Sequence, residues 1–188
     1  ERAARASDLS VRLSDLGRRE AALVANEEAA EIYRALAADR PDAFRPDLAM
    51  SLNNLSAHVS DLGRREEALA ANEEAVEIRR ALAAERPDAF RPNLATSLGA
   101  RGAVLRGLER HGEAAESFAD ALRTLSPQFL DLPQAFAALT QSLVRIYLES
   151  IQQAGTQPDT DWLEPVLQKL QDIGAIEVGE TDDGEATS

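Results

Sequence analysis

Two histidines, His58 and His111, are the only imidazoles in this 188-residue chain, and no cysteine accompanies them. Without cysteine there is no thiol nucleophile, thiolate zinc site, iron–sulfur cluster or disulfide. Neither histidine sits in an HExxH metal-binding spacing, and no GxSxG or GxGxxG run is present. His58 lies within a helical pattern and His111 at a turn between two helical segments, and both are expected to be solvated. The acid pairs Glu27-Glu28 and Glu73-Glu74 are adjacent, so on a helix their carboxylates diverge and cannot converge on a metal. The glycine-containing run Leu98-Gly99-Ala100-Arg101-Gly102 lacks the lysine of a phosphate loop and falls inside a helical pattern, where small residues predict close helix packing. Arg34 three residues after Glu31, and Arg80 after Glu77, read as surface ion pairs. This inventory predicts no enzyme, no metal and no cofactor.

The chemistry that remains is recognition, and the elements that would carry it are helices. Alanine (35) and leucine (25) dominate the 44% hydrophobic share, whereas valine and isoleucine together number 14. Alanine and leucine are strong helix formers, and β-branched residues are the ones that suit a pleated sheet. A net charge of −13 disfavours a surface that tracks phosphates, so no nucleic-acid partner is expected. No apolar run approaches the roughly 20 residues a membrane span needs, so no membrane partner is expected either. The chain opens at Glu1 with no signal-like segment, and is read as a piece of a longer cytoplasmic protein. Nineteen arginines against one lysine, Lys169, fit a GC-rich bacterial source. Residues 1–150 hold 24 acids against those 19 arginines, while 151–188 hold nine acids against Lys169. The last stretch, GETDDGEATS, has no large apolar side chain, so 175–188 is predicted to be a solvated acidic tail.

The sequence repeats with a period of 46. Residues 14–52 align with 60–98 with 32 of 39 positions identical, the differences falling at 21, 24, 30, 33, 39, 47 and 50. A weaker third copy follows, in which Leu108, Ala114, Ala121 and the Pro133-x-Ala135-Phe136 text match Leu62, Ala68, Ala75 and Pro87-x-Ala89-Phe90. Within each period the apolar spacing is helical. Leu48, Leu52, Leu55, Val59 and Leu62 form one stripe closed by Gly63; Ala68, Leu69, Ala75, Ile78 and Leu82 form a second, closed by Arg86-Pro87. Each period is therefore a hairpin of helix A and helix B. Pro92 is placed in the first turn of the next helix A. Phe44 and Phe90 are expected to plug the connections between hairpins. The predicted spans are hairpins at about 3–40, 47–86 and 93–126 and C-terminal helices at about 133–153 and 160–173, the last capped by Thr160 or Asp161 and shielding the end of the array through Trp162 and its apolar neighbours.

Leu52, Leu55, Gly63, Ala68 and Ala75, with Ala6, Leu9, Gly17, Ala22 and Ala29 in the first copy, resemble the tetratricopeptide repeat pattern: bulky residues on helix A, glycine at the turn and small residues on helix B. The long period and the SLNNL text at Ser51 to Leu55 are similar to the kinesin-light-chain-like branch, arrays of which also occur in bacterial multidomain signalling proteins. The resemblance spans roughly residues 3–153, with Phe118 in the aromatic slot of the third copy and Ser126-Pro127 closing it. It implies an all-α fold, a right-handed alpha-alpha superhelix of helical hairpins. Arg101 and Glu109 stand where leucine and glycine are expected, and with Gly102 and Gly112 nearby the third copy is read as open to a one-residue shift. Asn26 and Asn72 hold a slot that is commonly aromatic, and their amides are expected to bond neighbouring helix backbone.

The resemblance also implies a concave groove lined by helix A, at Ser7, Asp8, Val11, Ser14 and Asp15, then Asn53, Asn54, Ala57, Ser60 and Asp61, then Gly99, Ala100, Ala103 and Arg106. Ser7, Asn53, Asn54, Asp61 and Arg106 are the peptide-binding candidates. An asparagine offers donor and acceptor, so Asn53 or Asn54 can clamp an extended peptide backbone, or else merely solvate the groove or bond an adjacent helix. The chaperone carboxylate clamp is not expected, because only Asn54 matches its residue set. The function implied is a protein or peptide interaction scaffold or sensor module. The alternative is self-association into a homo-oligomer through the uncapped first hairpin, where Leu9 and Leu13 lack a covering helix. A third reading places the acidic tail in its own or a neighbour's groove.

Overall fold

Alanine and leucine at helical spacing fold as helices along the whole repeat. The computed structural model describes residues 1–157 and 161–176, which form eight helices and no strand. Three hairpins succeed one another: α1 (Arg2–Asp15) with α2 (Arg19–Asp39), α3 (Pro41–Asp61) with α4 (Arg65–Glu85), and α5 (Pro87–Gly107) with α6 (His111–Asp131). They are followed by α7 (Pro133–Ala154) and α8 (Glu164–Asp172). Each helix from α1 to α7 packs on its neighbours in the chain, and α3 also touches α5, so the A helices line the closer-set side of the solenoid.

The turns inside the hairpins share one geometry. Gly17 and Gly63 take φ of 70° and 79°, and the amide after each glycine reaches back to Leu13 and Val59 respectively. This is the left-handed helix stop that glycine suits. In the third hairpin Glu109 adopts the same turn at φ 61°, with Arg110 N–H donating to Leu105 C=O at 3.0 Å. The helix limits of the third hairpin repeat those of the second at a constant shift of 46, so the register does not slip. A side chain other than glycine bears the strain instead.

The connections between hairpins are shorter than the sequence implied. Helices A begin at Pro41 and Pro87, not near Pro46 and Pro92, and single residues, Arg40, Arg86 and Leu132, join successive hairpins. A residue before proline is driven out of the helical region, and Arg40, Arg86 and Leu132 have φ between −128° and −139°. Pro46 and Pro92 lie inside the helix at its sixth position, where each removes a single bond to a carbonyl near the exposed end. Phe44 and Phe90 thus sit half-buried in the opening turns of α3 and α5, with the guanidinium groups of Arg40 and Arg86 at 4.8 and 4.7 Å from their ring centres. Likewise α6 passes through Pro127 to Asp131 and does not close at Ser126-Pro127. Arg34 pairs with Glu74 of the next hairpin at 2.8 Å, not with Glu31.

Alanine sets the spacing of the helices. Ala22, Ala68 and Ala114 are fully buried, as are Ala29, Ala75 and Ala121 about two turns further along the same face of helix B. The glycines of α5 serve the same end. A Cβ on Gly102 would stand 2.7 Å from the Phe118 ring, and one on Gly99 would stand 3.1 Å from Leu143. At the far end α8 lies on α6 and α7 through Leu163, Val166 and Leu170. Trp162 packs against Tyr147 with ring centroids 5.8 Å apart, under the guanidinium of Arg123. The helix starts at Glu164-Pro165 after Leu163, so Asp161 is not its cap, and Thr160 lies outside the described residues. Ala175 and Ile176 also pack on the core, and Gln141 donates to the Ala175 carbonyl at 2.7 Å. The terminal cap therefore includes two residues assigned above to the tail; the rest of that segment, 177–188, lies outside the described residues.

Candidate peptide-binding groove

The polar side chains between helices A and B form two different networks in the first and second hairpins, whose B helices are near-identical in sequence. In the first, the Asn26 amide donates to the Ser51 backbone carbonyl of α3 at 2.9 Å, and Ser10 donates to the Ser7 carbonyl at 2.7 Å. In the second, Asn72 donates to the side-chain oxygen of Asn53 at 3.1 Å, not to backbone, and Ser97 of α5 donates to the same oxygen at 2.9 Å. Arg79 of α4 completes this network, one of its nitrogens donating to Ser97 Oγ and to the Asn93 carbonyl, each at 2.7 Å. Three helices, α3, α4 and α5, are thereby tied together beneath the groove.

Between α3 and α5 lies a cleft of about 190 Å³ lined by Asn53, Ser56, Ala57, Ser60, Asp61, Ala100, Ala103 and Val104. Two of the five candidate residues, Asn53 and Asp61, meet here. Asn53 is half-buried and its carbonyl oxygen is already committed twice, which leaves its amide N–H groups as the uncommitted donors. Asp61 is exposed at the rim. Asn54 is half-buried, does not line this cleft and makes no side-chain hydrogen bond among the described residues. Arg106 is held away from it by Glu149 of α7, at 3.3 Å, which Arg145 also grips at 2.8 Å. Ser7 is buried on α1 and presents no surface to a ligand.

Both histidines depart from the solvated expectation. His58 is 7% exposed, and its Nε2 is buried without a hydrogen-bond partner. Burial holds its imidazole below the usual histidine range, with Asp61 pulling weakly the other way. His111 opens α6, half-buried, with Nδ1 closed off from solvent and unbonded. Arg101 faces Glu73 of α4 at 4.0 Å.

Two buried residues of helix B were not singled out from sequence. Tyr33 and Arg79 occupy the same slot of helix B in the first and second hairpins, and both are buried. Burial raises the Tyr33 phenol above its ordinary value, with Asp47 and then Asp8 adding to the effect. Burial lowers the Arg79 guanidinium, and no acid among the described residues counters it. The signal available in the sequence was that position 33 is one of the seven at which the copies differ. A larger concavity of about 440 Å³ lies between α6 and α7, lined by Glu116, Asp120, Arg123 and Tyr147 among others. Its acids are one turn apart, and Asp120 pairs with Arg123 at 3.5 Å. No cluster of three or more potential metal ligands is found among the described residues, and none of the described helices is long and apolar enough to cross a membrane.

A family profile for the tetratricopeptide repeat matches residues 2–42 and 48–88, two windows offset by the same 46 residues as the internal repeat. No curated protein matches the chain.

Proposed function

We propose that this chain, which carries tetratricopeptide repeats at residues 2–42 and 48–88, uses the cleft between α3 and α5 to hold an extended segment of a partner protein. Tetratricopeptide repeats generally mediate protein–protein interaction and scaffolding, and the cleft carries the reading further. Its walls are small residues, Ala57, Ala100 and Ala103, which admit a backbone closely, and its rim supplies Asn53 and Asp61 as donor and acceptor. The setting we infer is a scaffold or sensor part of a larger bacterial, cytoplasmic protein. The test begins with a peptide selected from a random display library on the folded chain. Ala57→Trp and Ala103→Trp fill the cleft from its two walls, and each is expected to weaken that peptide by about tenfold or more. Unchanged affinity in both variants would remove the cleft from the account.

Self-association is a second reading with its own observation. Leu9 on α1 and Leu16 just after it are 51% and 73% exposed, whereas their sisters pack inside, Leu55 against both core clusters and Leu62 against one of them. A mass measurement across a wide concentration range decides it, since a strict monomer at the highest concentration rules the pairing out.

A further inference from the structure

The hairpin turn recurs a fourth time, but the helix that follows it comes late. Gly155 takes a left-handed φ of 67°, and Thr156 N–H donates to Ile151 C=O at 3.3 Å. These are the counterparts, 46 residues on, of Glu109 and of the bond from Arg110 to Leu105. In the three hairpins this turn leads directly into a helix B of 21 residues. After α7 the described residues return to helix only at Glu164, in α8, which has nine residues. The concavity of about 440 Å³ between α6 and α7 lies beside this interval, with Thr156 among its walls, and shares no residue with the α3–α5 cleft.

Exchanges between the copies make its floor. Ala115 stands where Leu23 and Leu69 are buried in the earlier hairpins, so a leucine side chain has been withdrawn. Glu73 and Arg101, which face each other at 4.0 Å, are replaced 46 residues on by Ala119 and Tyr147. An ion pair has thus become an apolar surface, which Ile151 extends. All four of these residues are buried. The edge above them is acidic, with Glu116 and Asp120 one turn apart on the same face of α6. Glu116 makes no ion pair or side-chain hydrogen bond among the described residues. In the slot of Asp120 the sister acids are met by arginines of other helices: Glu28 by Arg2 at 2.6 Å, and Glu74 by Arg34 through both carboxylate oxygens. Asp120 has only Arg123 of its own helix, at 3.5 Å, and that guanidinium is drawn over the Trp162 ring.

We infer that this concavity is a second interaction site, separate from the groove, which takes an arginine of a partner protein together with the apolar residue beside it. The guanidinium meets Glu116 and Asp120, and the apolar side chain lies over Ala115, Ala119 and Tyr147. An apolar floor with a few polar groups at one edge, in a volume within the range of about 300–1,000 Å³, is the usual make-up of a ligand site. Arginine suits it because a guanidinium is weakly hydrated and its planar fork matches carboxylates, as Arg34 on Glu74 does within this chain.

The probe is acetyl-leucyl-arginine amide, set against the same dipeptide with citrulline, the neutral isostere, in place of arginine. Each is titrated into the isotope-labelled chain while the methyl groups of Ala115, Ala119 and Ile151 are followed by NMR. The arginine probe is expected to bind about threefold tighter or more, with the advantage fading as salt is raised. Glu116→Gln combined with Asp120→Asn is expected to erase that advantage. Ala115→Leu, which restores the sister residue, is expected to weaken both probes by about tenfold. Thermal melting accompanies each variant, and because both acids are exposed the double substitution decides the question even if Ala115→Leu unfolds. Equal binding of the two probes by the wild type, or an advantage that survives the double substitution, overturns the inference. So does a folded Ala115→Leu chain that binds unchanged, or a wild type in which no methyl of the concavity shifts. Shifts confined to Asn53, Ala57 and Ala103 would likewise remove this site and leave the groove standing.

Discussion

In the second hairpin the slot of helix B that faces helix A holds Asn72, whose amide donates to Asn53; in the third the same slot holds Phe118, whose ring fills the space left by Gly102. Both side chains are essentially fully buried. The polar solution demands partners: Asn72 donates to Asn53, which lines the cleft, and Ser97 and Arg79 continue the network beneath it. The apolar solution ends at van der Waals contact and sends nothing to the surface. One slot thus separates a hairpin built to present hydrogen-bonding groups from a hairpin built to close the core, and the groove's chemistry is concentrated where the asparagine is.

The largest expected effect breaks the apolar side of this comparison. Phe118→Ala should destabilise by roughly 3–5 kcal/mol in denaturant unfolding, since it opens a cavity at the centre of the main core cluster. Asn72→Ala should cost less, about 1–3 kcal/mol, because it removes one donor from Asn53, which keeps Ser97. Equal losses would mean that the two slots do not differ as described. Ala68→Leu should cost about 1–3 kcal/mol through overpacking of α3 against α4, read as a fall in melting temperature; no loss would sink the alanine contact. Glu109→Gly should stabilise by about 1 kcal/mol by relieving the left-handed φ in the third hairpin, and Gly63→Ala should lose a similar amount in the second.

The smallest effect concerns His58, whose sister in the third hairpin is the buried Val104. Its folded-state pKa lies below the unfolded value of about 6.5, so the neutral imidazole is the form the fold favours. The associated stability is full above that value and is lost as pH falls through the lower folded value. Melting temperature should therefore drop on acidification through this range in the wild type and drop less in His58→Val. Parallel curves would show that His58 does not couple to folding.

Much of this architecture was legible from spacing alone. The 46-residue period, the alanine contacts and the glycine turns follow from periodicity and small residues, because those constraints are local. Helix starts were less legible. Pro41 and Pro46 are five residues apart, each is acceptable early in a helix, and only packing of the opening turn decides between them. The burial of His58 was masked by averaging over copies, since Arg12 in the same slot is exposed on an outer helix while His58 and Val104 are covered by a preceding hairpin. Candidate groove residues on α3 could be placed by register, but whether Asn53 offers its oxygen or its amide depended on Ser97, 44 residues away. That Arg79 replaces Tyr33 is visible in the repeat alignment, but that no carboxylate of the described residues pairs with it shows only in three dimensions.

The most direct test of groove recognition is a chemical-shift map of the chain with a display-selected peptide bound. The account predicts perturbations centred on Asn53, Ala57, Asp61 and Ala103, along the facing sides of α3 and α5. Perturbations confined to Leu9 and Leu16, or to Glu116, Asp120 and Tyr147 between α6 and α7, would contradict groove recognition.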